Sequence, residues 1–436
     1  MPQPLTSSRS ARLRGRTRVP GDKSISHRAL ILGALATGRT RITGLLEAED
    51  VVATAQAVAA LGAEVSRVNG TIEVIGQGVG ALLAPHAPLD FGNSGTGSRL
   101  MLGAVAGNPI EVALTGDASL CRRPMGRVLQ PLNLMGLEVE DARVTLPLNI
   151  RGTDDLIPIV YELPAPSAQV KSAILLAGLH APGKTTVIEA LPTRDHTERM
   201  LGYFGAELLA EERGEGRAIT VCGDAELQGA SISVPGDPSS AAFLIGAALI
   251  AEGSDITIEG VLMNQTRAGF IETLREMGAA IEMLDLRHQG GEPVADLRVK
   301  ASALKGLRVP ATRAPSMIDE YPMLACLAAF AEGETRMEGL SELKVKESDR
   351  LAATEAGLRA CGVKVCVEGN DLTVEGKGAV NGGAMIETHM DHRIAMAFLT
   401  LGLGAREPIT VDDTTMIATS FPEFRPLMTK LGATFT

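Results

Sequence analysis

One short phrase recurs six times along the chain: a large residue or Cys, then Gly, then a mostly apolar stretch. It reads Leu61-Gly62-Ala63-Glu64-Val65, Met135-Gly136-Leu137-Glu138-Val139 and Phe204-Gly205-Ala206-Glu207-Leu208 in the first half. It returns as Met277-Gly278-Ala279-Ala280-Ile281, Cys361-Gly362-Val363-Lys364-Val365 and Leu431-Gly432-Ala433-Thr434-Phe435. The glycines stand 74, 69, 73, 84 and 70 residues apart. Each phrase reads as the end of a helix: an apolar-periodic segment, a Gly able to take the left-handed cap, then a strand. A second marker lies inside each unit, where an Ala/Leu-rich helix ends near Gly38, Gly107, Gly183, Gly253, Gly333 or Gly404. A β-branched strand follows it, such as Arg39-Thr40-Arg41-Ile42 or Asp255-Ile256-Thr257-Ile258. Chance spacing among 48 glycines is the competing explanation, and six ordered pairs of markers weigh against it. Each repeat therefore reads helix, strand, helix, strands, which predicts an α/β fold with helices packed on sheets.

Six such units fit two lobes better than one solenoid, because a lobe of roughly 200 residues is of ordinary domain size. The third and fourth units meet near Val234-Pro235-Gly236-Asp237-Pro238, a Pro/Gly-rich stretch suited to a hinge. A cleft between two similar lobes is then the expected place for a substrate.

The starts of the first helices carry the chemistry. In order they are Gly21-Asp22-Lys23-Ser24-Ile25-Ser26-His27-Arg28, Gly92-Asn93-Ser94-Gly95-Thr96-Gly97-Ser98-Arg99 and Pro166-Ser167-Ala168-Gln169-Val170-Lys171. Then come Gly236-Asp237-Pro238-Ser239-Ser240, Met317-Ile318-Asp319-Glu320-Tyr321-Pro322 and His389-Met390-Asp391-His392-Arg393. Ser, Asp and Asn there serve as helix caps. Capping does not explain Lys23, Arg28, Arg99, Lys171 and Arg393 in or beside first turns, where the helix dipole disfavours cations. Cations in those places point to an anionic ligand held jointly by helix N-termini and side chains. More basic residues cluster in Arg122–Arg127, Thr193–Arg199 and Lys344–Arg350. Taken singly each cluster reads as a solvated face. Together, in a chain of net charge −11, they read as local sites for small phosphates and carboxylates, which the planar Arg fork binds two oxygens at a time.

The same net charge argues against a general nucleic-acid or anionic-membrane surface. Aromatic residues make up 3% with no Trp, which leaves little for base stacking. No apolar run approaches the roughly 20 residues of a membrane span. The basic start up to Val19 lacks the apolar core of a secretory signal and is read as a tail leading into a strand. Five cysteines without a CxxC pair fit a reducing compartment, so a cytoplasmic location is expected. Gly21-Asp22-Lys23-Ser24 lacks the full P-loop spacing, and Gly76-Gln77-Gly78-Val79-Gly80 lacks the last glycine of a dinucleotide fingerprint. His389 and His392 have no third ligand in view. No metal and no cofactor are expected.

Taken in order, several motifs resemble the 5-enolpyruvylshikimate-3-phosphate synthase family. They are Pro20-to-Arg28, the Asn93-to-Arg99 glycine loop, Arg123-Pro124-Met125-Gly126, Ser167-Ala168-Gln169, Lys346-to-Leu351 and Asp391-His392-Arg393. The resemblance covers the chain beyond its first dozen residues. Ser316-to-Pro322 and Thr193-to-Glu198 look like the divergent bacterial branch often called class II. The resemblance implies two lobes of three βαβαββ repeats each, an inside-out α/β barrel type. Residues 1–19 with 235–436 would form one lobe and 20–234 the other, with the N-terminal strand in the C-terminal lobe. It further implies that the lobes close on the substrates.

The implied reaction moves the carboxyvinyl group of phosphoenolpyruvate onto the 5-hydroxyl of shikimate 3-phosphate and releases phosphate. Such chemistry needs general acids and bases, and cations around two phosphates and two carboxylates. By resemblance Asp319 is the base for the 5-hydroxyl, and its bland reading is a helix cap, a role compatible with the first. Glu347 and Lys23 resemble the groups that exchange protons with the methylene carbon and leaving phosphate. Neighbouring cations would lower the pKa of Glu347 and burial would raise it. Lys23, Ser24, Arg28, Ser167, Ala168, Gln169, Arg194, Asp319 and Lys346 resemble the shikimate 3-phosphate site. Lys23, Asn93, Gly95, Arg123, Gln169, Arg350 and Arg393 resemble the phosphoenolpyruvate site. The partners expected are these two small molecules, with no nucleic acid and no membrane, acting on a monomer.

Two positions depart from common family patterns. Thr419 stands where many members carry Lys before Phe-Pro, and Gly95 stands where some class II members carry Ala. The missing methyl at Gly95 leaves room beside phosphoenolpyruvate, so sensitivity to the competitive inhibitor glyphosate is expected. Two other readings compete: a UDP-N-acetylglucosamine enolpyruvyl transferase, for which Cys121 would supply the loop acid, and a non-catalytic phosphometabolite binder. The ordered motifs weigh against the first, and Lys23, Asp319 and Glu347 together weigh against the second.

Overall fold

The computed structural model describes residues 2–140 and 143–436. They fall into two compact units: Gly21–Val234 with Gln289–Gly291, and the remainder, up to Pro20 and from Pro235 onward.

In the first unit the helices are α1 (Lys23–Leu35), α2 (Glu49–Ala60), α3 (Gly95–Val105), α4 (Gly126–Met135), α5 (Ala168–Gly178) and α6 (His196–Tyr203). α1, α3 and α5 are apolar on nearly every side and buried nearly all round, as helices at the centre of a domain must be. α3 and α5 approach so closely that a Cβ at Gly103 would lie 2.2 Å from the Ala173 carbonyl oxygen. Only glycine permits that spacing. The shorter helices α4 and α6 are amphipathic and bury one face.

Three four-stranded sheets surround this core, and all share one order. Ser231–Ser233, Arg39–Thr43, Thr71–Ile75 and Glu64–Val68 lie side by side in that sequence. Leu89–Asp90, Glu111–Thr115, Leu148–Arg151 and Glu138–Val139 repeat the pattern. Val160–Glu162, Lys184–Glu189, Gly216–Cys222 and Leu208–Arg213 repeat it again. In each, the first two strands are parallel and the second and third antiparallel. Alternation sets the faces: along Arg39–Thr43, Thr40 and Ile42 point inward and their neighbours outward.

The second unit repeats the plan. Its helices are α7 (Pro238–Ile250), α8 (Gly269–Glu276), α9 (Ala314–Met317), α10 (Tyr321–Ala328), α11 (Arg350–Ala360), α12 (His392–Gly402) and α13 (Phe424–Leu431). α7, α10 and α12 form the buried centre. The sheets have the same order, but two of them borrow from the chain start. Arg14–Arg18 is the first strand beside Asp255–Leu262, paired in parallel. Leu5–Ser8 lies between Ile409–Val411 and Thr434–Phe435, antiparallel to both.

The six glycines of the recurring phrase all have positive φ, from +78° at Gly362 to +115° at Gly136. The left-handed cap is therefore the physical basis of the repeat. The second marker is mixed. Gly38, Gly183, Gly253 and Gly333 have positive φ, whereas Gly107 and Gly404 are fixed by crowding instead. A Cβ at Gly107 would lie 2.1 Å from the His180 ring. Among the described residues no helix is long and apolar enough to cross a membrane.

Candidate active site

In the Gly21–Val234 unit the predicted residues gather at the N-terminal ends of α1, α3 and α5. Asp22 caps α1, its Oδ1 accepting from the Ile25 N–H at 2.8 Å, so Lys23 opens the helix. Lys23 Nζ forms an ion pair with the buried Asp50 of α2. The pairing offsets the unfavourable dipole at that helix end. One turn on, the buried Arg28 donates from Nε to Thr197 Oγ1 at 2.7 Å and from Nη2 to Ser172 Oγ at 2.7 Å. Its Nη1 reaches the Ser24 carbonyl at 2.9 Å. His27 is buried beside them, its Nδ1 2.8 Å from Thr54 Oγ1. Burial, then Lys23 and Arg28, push its pKa well below the usual value, so the ring is neutral.

Ser94 caps α3, accepting from the Gly97 N–H at 3.1 Å, which places Gly95 first in the helix. Arg123 packs over this turn and donates to the Asn93 carbonyl at 3.2 Å and to its side-chain oxygen. Asn93 in turn donates to Asp117 at 2.7 Å. A Cβ on Gly95 would lie 2.8 Å from Arg99 Nη1 and 3.2 Å from Arg123 Nη1, so this glycine faces two guanidinium groups. Ser167 caps α5 through the Val170 N–H at 3.4 Å, with Ala168 and Gln169 following. Gln169 accepts from Arg99 Nη1 at 3.0 Å and donates to Thr96 Oγ1 at 2.9 Å. Asn93, Gly95, Arg123 and Gln169 thus share one neighbourhood, and Arg99 links it. Arg194 sits half-buried in the loop before α6.

Lys171 departs from the expectation that first-turn cations address a ligand. It is fully buried and pairs with Glu189 at 3.0 Å and Glu198 at 2.7 Å. Its charge is spent inside the protein.

In the other unit, Arg350 at the start of α11 is fully buried and organises the predicted residues. It donates from Nε to Asp391 Oδ2 at 2.8 Å, from Nη1 to Asp319 Oδ1 at 3.0 Å, and from Nη2 to Glu347. Burial opposes its charge, but Asp391, Glu347 and Asp319 outweigh burial and raise its pKa. It stays charged at any ordinary pH. Lys346 Nζ lies 3.4 Å from Asp319 Oδ1, and Arg393 Nη1 donates to the Asp319 carbonyl at 3.4 Å. Asp391 caps α12 through the Arg393 N–H at 2.9 Å and also accepts from Ser348 at 3.0 Å. Three carboxylates at one point would be an oxygen-rich set for a divalent ion, but the cation among them is Arg350 itself. Asp319 lies in the one-turn segment Ile318–Glu320 before α10, which has no side-chain cap. Asp319 is not the cap of α10, a position that Glu320 holds, and its carboxylate pairs with Arg350 and Lys346.

Thr419 donates to the Met416 carbonyl at 2.8 Å and lies 3.5 Å from His392 Nδ1. Cys121 is half-buried and donates to the Gly116 carbonyl at 3.3 Å.

The arrangement is one of paired cations and carboxylates at helix N-termini, able to hold anions and move protons. The model of the EPSP synthase (3-phosphoshikimate 1-carboxyvinyltransferase) family matches residues 8–428. The chain belongs to the EPSP synthase family. It is 61% identical over 437 aligned residues to the 3-phosphoshikimate 1-carboxyvinyltransferase of Afipia carboxidovorans, covering 100% of this chain and 98% of that protein. To the enzyme of the same name from Methylobacterium radiotolerans it is 60% identical, covering 99% and 98%. Among solved structures, EPSP synthase from Acinetobacter baumannii is similar at a TM-score of 0.87 and 44% identity, covering 100% of this chain and 99% of that one.

Within the EPSP synthase frame, Asp50 and Asp391 stand beside the predicted residues without having been assigned a role, and Arg99 had been named only as a first-turn cation. Asp391 and Arg99 lay inside motifs already singled out. Asp50, in Glu49-Asp50, carries no signal that separates it from an ordinary acidic first turn.

Proposed function

We propose that this chain transfers the carboxyvinyl group of phosphoenolpyruvate to the 5-hydroxyl of shikimate 3-phosphate, releasing inorganic phosphate, on the route to chorismate and the aromatic amino acids. The carrying observation is identity of 61% and 60% across the whole chain to enzymes named for that reaction.

The chemistry assigns work to the residues. The methylene carbon of phosphoenolpyruvate gains a proton, and the neighbouring carbon becomes the electrophile. The 5-hydroxyl oxygen attacks that carbon and gives up its proton. The tetrahedral adduct then loses a methyl proton and phosphate, restoring the double bond. Asp319 takes the hydroxyl proton, its carboxylate held ready by Arg350 and Lys346. Glu347 and Lys23 exchange protons with the carbon and the leaving phosphate. Arg123, Arg350 and Arg393, with Asn93, Gly95 and Gln169, hold phosphoenolpyruvate. Ser24, Arg28, Ser167, Ala168, Gln169, Arg194 and Lys346, with Lys23 and Asp319, hold shikimate 3-phosphate. The internal pairs seen at Lys23 and Arg350 are the ones that anionic substrates would compete for.

We place the chain in the class II branch, working as a cytoplasmic monomer on two small molecules, with neither nucleic acid nor membrane as partner. A phosphate-release assay tests the activity. Release with phosphoenolpyruvate and shikimate 3-phosphate, and none with UDP-N-acetylglucosamine, is expected. Release only with the nucleotide sugar would overturn the reading.

A further inference from the structure

The loop that carries Arg194 is held by a buried charge cluster that the reaction does not use. Lys171 of α5 has no exposed surface, and neither does Glu189 at the end of the strand Lys184–Glu189. Lys171 Nζ bridges Glu189 at 3.0 Å and Glu198, in the first turn of α6, at 2.7 Å. It also reaches the Thr193 carbonyl at 3.4 Å. The other oxygen of Glu189 accepts from the Thr193 N–H at 3.2 Å and the Thr193 hydroxyl at 2.7 Å. The residue immediately before Arg194 is thus tied on both its N–H and its C=O.

A second brace runs parallel to the first, one residue along. Ser172 and Thr197 share a hydrogen bond of 2.6 Å, and both accept from Arg28. Two consecutive residues of α5 therefore bind two consecutive residues of α6. One pair carries the buried charge and the other carries Arg28. A buried lysine with two carboxylates is a poor source of net stability, because desolvating three charges offsets most of their attraction. What such a cluster supplies is registry: a surrounding that accepts one geometry only.

We propose that Lys171 is a positioning residue for the shikimate 3-phosphate site, fixing the Thr193–Arg194 loop and the α5–α6 spacing on which Arg28 and Arg194 depend. This rests on the functional reading above. Of the phosphoenolpyruvate residues, Arg123 and Gly95 belong to α3 and its neighbouring loop, and Gln169, though on α5, is held from α3 by Arg99 and Thr96, so all three are tied on the side away from this brace.

The test is steady-state kinetics of Lys171→Met and Glu198→Gln with each substrate varied in turn, beside equilibrium binding of shikimate 3-phosphate. Misplacing a binding group by an ångström is costly, so KM and Kd for shikimate 3-phosphate should rise about tenfold or more in Lys171→Met. KM for phosphoenolpyruvate should stay within about twofold, and kcat within about threefold. Glu198→Gln keeps a one-to-one Lys171–Glu189 pair, so it should fold and show a smaller rise with the same selectivity. It carries the test alone if Lys171→Met does not fold. Unchanged KM for shikimate 3-phosphate, or equal losses for both substrates, would overturn the proposal. A wild type that turns over neither substrate would instead sink the functional reading.

Discussion

A methyl group added at Gly95 would meet Arg99 Nη1 at 2.8 Å and Arg123 Nη1 at 3.2 Å. Both are the far ends of flexible side chains, so Gly95→Ala should fold normally while narrowing the space beside them. Inhibition by glyphosate should weaken by at least about tenfold, the scale on which an enzyme discriminates by one carbon. Equal insensitivity of wild type and variant would refute this. Arg350 offers a different case. Replacing it by Met would leave Asp319, Glu347 and Asp391 without their shared cation, and losing one partner of a buried pair costs about 3–5 kcal/mol. Urea unfolding of Arg350→Met measures it; a loss below about 1 kcal/mol would show the three carboxylates are satisfied without it. Titration gives a third residue-level expectation. Burial lowers the pKa of His180 to about 4, while the unfolded side chain titrates at its ordinary value of 6.5. The unfolded state therefore binds the extra proton first as pH falls, and stability declines between those values by up to about 1.4 kcal/mol per pH unit. Above pH 6.5 this contribution is fully present. His180→Gln should flatten that acid limb; an unchanged pH dependence of unfolding would exclude the role.

At the scale of elements, the repeat was legible because it rests on local backbone chemistry. A Gly at a left-handed helix end leaves a mark in sequence wherever it occurs, and all six of the phrase did so. Gly107 and Gly404 show the limit: their reason is a close neighbour, the His180 ring for Gly107, which no local pattern encodes. The same limit applies to Lys171, whose partners lie 18 and 27 residues away. From sequence it is one more cation in a first turn, indistinguishable from Lys23. Motif order located most of the residues that the structure groups, whereas Asp50, and the convergence of Asp319, Glu347 and Asp391 on Arg350, needed three dimensions. Strand Leu5–Ser8 is a further long-range element, since it fills the gap between Ile409–Val411 and Thr434–Phe435. Deleting residues 2–9 should raise hydrogen exchange at 409–411 and 434–435 and leave α1 to α6 protected. Uniform deprotection of the chain, or none, would contradict the topology.

The whole chain divides unevenly between its two units. All three four-stranded sheets of the Gly21–Val234 unit draw their strands from one continuous stretch, whereas the other unit takes two strands from before Pro20. Expressed alone, residues 21–234 should give a cooperative thermal transition. Residues 235–436 alone should not, until a peptide spanning residues 2–20 is added. A cooperative transition in the second fragment without the peptide would show those strands to be dispensable.

A ribosome makes Leu5–Ser8 about 400 residues before either of the strands that flank it. At 5–20 residues per second, the wait during translation is roughly 20–80 s. Through that interval Leu5–Ser8 must stay unattached, and any partner that captured it would delay closure of that sheet.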